Sequence, residues 1–123
     1  MRIKQDISVE VCAYSLFSCL AAERAAATRV ELCASPWEGG TTPSQGLVYA
    51  VLSQTNIEVH AMVRPRGGDF CYDAFEKATM LAEAKALVGA GVHGLVRGHK
   101  VQDGRDAEES DKHTQACDRD REG

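Results

Sequence analysis

Four short runs alternate apolar and polar residues, and each is followed by a stretch of a different period. Ser8 to Ala13, Thr28 to Cys33, Ile57 to Val63 and Val92 to Val96 alternate and carry β-branched residues, so they read as strands. Residues 16 to 27 place Leu16, Phe17 and Leu20 at helical spacing in an alanine-rich run. A second helix is expected from a Thr42 cap, with Pro43 at its first position, through about Gln54. A third is expected from an Asp73 cap to about Val88. Glu76 completes a capping box, and Gly89 and Gly91 end the helix. Strand, helix, strand, helix, strand, helix, strand is the order of parallel βαβ units with right-handed crossovers. The expected fold class is α/β, a partial (β/α)8 TIM-type barrel of about three and a half units.

The chain is 123 residues long, 44% hydrophobic and 26% charged, with a net charge of −4. One domain of ordinary globular character follows. No basic patch of useful size occurs, so nucleic acid is not an expected partner. No apolar run approaches the roughly 20 residues of a membrane span, and the opening MRIKQDISVEV lacks the apolar centre of a signal peptide. The expected location is cytoplasmic, with the nucleus as an alternative. Five cysteines without a C-x-x-C spacing favour reduced thiols over a disulfide framework. Residues 1 to 7 read as a loose leader. From Gly98 to Gly123 charges of both signs crowd out any apolar face, so 98–123 is expected to be a charged, disordered tail after a 1–97 domain.

Strand parity selects the candidate site. One set, Val9, Val11, Val30, Leu32, Ile57, Val59, Ala61 and Val63, suits a helix-packed side. The opposite set is Glu10 and Cys12, then Glu31 and Cys33, then Glu58, His60, Met62 and Arg64. If the strands are parallel neighbours, these groups gather where α/β folds bind ligands. Immediately after strand three comes Arg64-Pro65-Arg66-Gly67-Gly68-Asp69. Two arginines beside a Gly-Gly turn form a candidate anion site, with Arg64, Arg66, Gly67 and Gly68 as its donors. Glu10, Glu31, His60 and Asp69 are then candidates for acid–base work on a small phosphate or carboxylate substrate. In an alternative, Cys12 and Cys33, with His60 or Met62, hold a soft metal such as Cu(I). In the structural alternative, Glu10 and Glu31 merely pair with Arg64 and Arg66, and the thiols pack as small hydrophobes. Trp37, in the loop after strand two, either walls the pocket or is a half-buried loop aromatic.

VEVCAYS, RVELCASPWEGGTTPSQG and VHAMVRPRGGDFCY, in this order, resemble the N-terminal half of the copper homeostasis protein family CutC. The resemblance runs from about Val9 to Val96. It implies a cytoplasmic (β/α)8 barrel, often dimeric, that handles and binds copper. It also implies Cys12 and Cys33 as Cu(I) ligands, and a pocket of Glu10, Glu31, His60, Arg64, Arg66 and Asp69. Two departures stand out. Ala26-Ala27-Thr28 replaces the Gly-Ala-Asp usual in the family, and the charged tail stands where the family continues with an apolar helix and four more units. A closed barrel takes about 250 residues, so a truncated isoform is expected. The implied function is copper binding and copper homeostasis. A barrel enzyme for a small anionic substrate, and a truncated chain without activity of its own, are the alternatives, and whether the chain is an enzyme stays open. An exposed last strand would favour a homo-oligomer.

Overall fold

The computed structural model describes residues 8–97. The expected leader and the expected charged tail lie outside the described residues. Four strands, β1 (Glu10–Ala13), β2 (Arg29–Leu32), β3 (Glu58–Val63) and β4 (Gly94–Arg97), alternate with three helices, α1 (Leu16–Arg24), α2 (Gln45–Gln54) and α3 (Ala74–Ala90). The strands form one sheet in sequence order, and every neighbouring pair is parallel. The arrangement is that of a partial (β/α) barrel.

The helices lie where their caps put them. Ser15 accepts from the Ser18 amide at the start of α1. Asp73 and Glu76 form the reciprocal capping box at the start of α3, and Gly91, at φ 105°, closes that helix. Two expectations are corrected. Helix α1 ends at Arg24 rather than at residue 27, because Ala26 turns left-handed with φ 63°. Helix α2 is capped by Ser44, which accepts from the Leu47 amide, and not by Thr42. Thr42 is drawn to the end of β3 instead.

Parity sorts the sheet's two faces as expected. Val30, Leu32, Val59, Ala61 and Val63 lie in one core with Ala13, Cys19, Val48, Val51 and Leu87, and Val11 packs against it. This apolar layer between sheet and helices is the main source of stability, at roughly 25 cal/mol per Å² of apolar surface buried. The other face carries the polar set.

Candidate functional site

Parallel pairing stacks the polar face in level rows. Glu10, Arg29 and Glu58 stand opposite one another near the strand starts. One step higher, Cys12, Glu31, His60 and Gly94 form the next row. Cys33 and Met62 stand one step above that, on the same side as Glu31 and His60.

The lowest row is an ion chain. Arg29 donates to Glu10 at 2.5 Å and lies 3.7 Å from Glu58. Glu58 in turn meets His60 Nε2 at 3.1 Å. The hydrogen bond to Glu10 raises the Arg29 pKa above its usual range. Glu10 therefore pairs with a neighbour on β2. Arg29 shares the parity of Glu31 and Cys33, so strand alternation was the signal that could have placed it in the site.

In the middle, Glu31 is 3% exposed and Cys33 is 1% exposed. The Cys33 thiol lies 3.8 Å from the Glu31 carbonyl oxygen and 4.0 Å from its carboxylate. Cys12 is exposed. Burial first, and then the charges of Cys33, Cys12 and Glu31, push the Tyr14 phenol above its usual pKa. Tyr14 thus sits among these groups. It stands one residue past the end of β1, where the chain turns toward α1, so strand parity alone does not assign it to this face. His60 leans toward β4, where Gly94 leaves room. A Cβ at Gly94 would stand 2.6 Å from His60 Nδ1.

The upper rim is built by two loops. After β2 the chain passes through Ser35, a short 3-10 turn (Pro36–Glu38) and left-handed Gly39 and Gly40. Gly40 fits closely, since a Cβ there would lie 3.3 Å from Cys33 Sγ and 3.6 Å from Met62 Cε. Both sulfur side chains therefore border one spot under this loop. Trp37 projects from it, 81% exposed, so it is neither a pocket wall nor half-buried in this chain.

Arg64, 6% exposed, joins this loop to the one after β3. Its guanidinium donates to the carbonyls of Glu38, of Gly40 at 3.0 Å and of Gly68 at 2.8 Å. The Phe70 ring lies under it at 5.1 Å. Arg66 donates to Glu76, to the carboxylate of Asp69 at 3.2 Å and to the carbonyls of Gly67, Asp69 and Cys71. The hydrogen bond to Glu76 leads the causes that raise its pKa. Tyr72 stacks on Arg66 at 5.1 Å. Both arginines thus hold the loop together. Gly68 takes a left-handed φ of 84°. A Cβ at Gly67 would meet the Glu38 carboxylate, so a side chain there would push that exposed glutamate aside. Asp69 stands in this loop, away from the row of Glu31 and His60.

Cys12, Cys19 and Cys33 are thiols. Among the described residues no three His, Cys, Asp or Glu side chains converge on one point. No helix among them is long and apolar enough to cross a membrane.

The CutC family model matches residues 7–118. This chain belongs to the CutC family. A family protein CutC of Klebsiella pneumoniae (strain 342) is 47% identical over 97 residues, covering 79% of this chain and 39% of that protein. One from Mesorhizobium japonicum is 51% identical over 96 residues, covering 78% of this chain and 37% of that protein. A crystal structure from Streptococcus agalactiae, assigned as the copper homeostasis protein CutC, matches with a TM-score of 0.69 and 34% identity, covering 89% of this chain and 55% of that one. The chain therefore spans about two-fifths of the length of these curated CutC relatives.

Proposed function

We propose that this CutC chain handles copper by binding Cu(I) as cargo between the thiolates of Cys12 and Cys33. The observation that carries the reading is the register. Cys12 is level with Glu31, so Cys33, two residues further along β2, is one diagonal step away on the same face. The donor chemistry fits a soft monovalent ion. Two thiolates, with the Met62 thioether bordering the same spot as Cys33, favour Cu(I) over harder cations. A tetrahedral zinc site would need four such ligands. The exposed Cys12 gives an incoming ion its first contact, and the nearly buried Cys33 shields it from water. A cytosolic, reducing setting belongs to this reading, because metal binding requires deprotonated, unoxidised thiols.

Anaerobic titration with Cu(I) in competition with a chromophoric chelator tests it. Tight one-to-one binding is expected, weakened by Cys12→Ser and by Cys33→Ser. Unchanged affinity in the double variant would remove the claim. The other reading, an enzyme for a small anionic substrate, would require Arg64 and Arg66 to release carbonyl and carboxylate partners they already hold.

A further inference from the structure

A third sulfur stands beside the two thiols. The β2–β3 register sets Leu32 opposite Ala61, so Cys33 and Met62, each one residue further on, are level on adjacent parallel strands. Such strands run about 4.8 Å apart, and both side chains are on the polar face. The loop after β2 closes over them. At Gly40, which is left-handed at φ 103°, a Cβ would lie 3.3 Å from Cys33 Sγ and 3.6 Å from Met62 Cε. Arg64 pins that loop by donating to the Gly40 carbonyl at 3.0 Å. Met62 is 6% exposed and Cys33 1% exposed, so water is kept from both.

The other donors on this face suit a soft monovalent ion less well. His60 engages Glu58 through Nε2 at 3.1 Å, and its Nδ1 lies against Gly94 on β4. Glu31 offers oxygen, a harder donor than Cu(I) selects. Charge points the same way. Cu(I) held by two thiolates already carries one net negative charge, next to the nearly buried Glu31. A further anionic ligand would add to a charge that is costly to bury, whereas a thioether adds none. The methionine side chain is unbranched with three rotatable bonds, so its sulfur can swing to a metal without moving β3.

We infer that Met62 is the third ligand of the Cu(I) site, which is three-coordinate with the thiolates of Cys12 and Cys33, and that its thioether sets the preference for soft monovalent ions. The inference rests on the copper reading above and deepens it, by choosing the sulfur of Met62 over the imidazole of His60. A divalent, harder ion gains little from a thioether, so losing Met62 costs Cu(I) more than it costs zinc.

Copper K-edge X-ray absorption of the Cu(I)-loaded full chain tests it. Three sulfur neighbours are expected in the unmutated protein. Met62→Leu keeps the volume and apolar character of the side chain. It should leave two sulfurs, strengthen the near-edge feature of two-coordinate Cu(I), and weaken Cu(I) binding about tenfold or more. Should that variant fail to fold, the unmutated chain with methyl-labelled methionine serves. Ag(I), a diamagnetic stand-in for Cu(I), should shift the Met62 methyl resonance and leave that of Met80, which packs against the core, in place. Tight binding by two sulfurs alone, a third donor of nitrogen or oxygen, or an unmoved Met62 methyl would overturn the inference and leave the Cys12 and Cys33 pair standing. Absence of tight binding by the unmutated chain would remove both.

Discussion

Thr42 and Arg64 are joined three times. The Thr42 amide donates to the Arg64 carbonyl at 3.0 Å, its hydroxyl meets the same oxygen at 3.1 Å, and the Arg64 amide donates to that hydroxyl at 2.9 Å. Glu83 on α3 accepts at 2.6 Å from the same hydroxyl. One threonine thus ties the loop before α2, the end of β3 and the middle of α3. Thr42→Val should cost about 1–3 kcal/mol, since it strips the Arg64 amide of its acceptor. Thr42→Ser should cost much less. Urea denaturation of the three proteins checks the order.

Arg64→Ala should be the most damaging loop change. It leaves three carbonyls without their charged donor and removes the planar group stacked on Phe70. A loss of about 3 kcal/mol or more is expected, a large part of a typical domain's stability of about 5–15 kcal/mol. Arg64→Lys should recover little, because one ammonium does not reproduce the planar fork. Thermal unfolding followed by circular dichroism measures both.

Gly94→Ala tests the packing of His60. The added methyl would meet the imidazole, forcing the ring aside and breaking its contact with Glu58. The expected cost is about 1–3 kcal/mol, as for overpacking elsewhere. The His60 ring resonances should shift, while those of His93 should not.

Two tyrosines set an alkaline limit. Burial holds the phenols of Tyr14 and Tyr72 above their usual range, although the Arg64 charge pulls Tyr72 down. A phenol that keeps its proton longer when folded adds stability below its unfolded pKa of about 10. That stability is lost as pH rises through the folded value. Denaturation free energies should therefore fall from about pH 10 upward. Tyr14→Phe and Tyr72→Phe should each flatten the decline.

Within α3, neighbouring choices should differ sharply. Leu87 is fully buried and Phe75 is exposed. Leu87→Ala should cost about 2–5 kcal/mol, and Phe75→Ala within about 0.5 kcal/mol. Equilibrium unfolding of both variants decides it.

How far the sequence reaches depends on the range of each interaction. The capping box at Asp73 and Glu76 was legible because donor and acceptor lie three residues apart. The two faces of β2 and β3 were legible because alternation fixes them. Thr42 misled because it has the chemistry of a helix cap, yet its partners Arg64 and Glu83 lie 22 and 41 residues away. Arg64 and Arg66 have the look of an anion clamp. Only the folded loops bring the carbonyls of Glu38, Gly40 and Gly68 around the first, and Glu76 and the Cys71 carbonyl around the second. Ala26 gave no warning of its left-handed turn, a conformation glycine or asparagine adopts more readily.

Trp37, the chain's single indole, stands almost wholly in water. Its emission should be that of a solvated indole whether the protein is native or denatured, so an unchanging fluorescence trace would say nothing about unfolding. The same feature makes it a clean optical reporter for whatever approaches the rim beside Glu38.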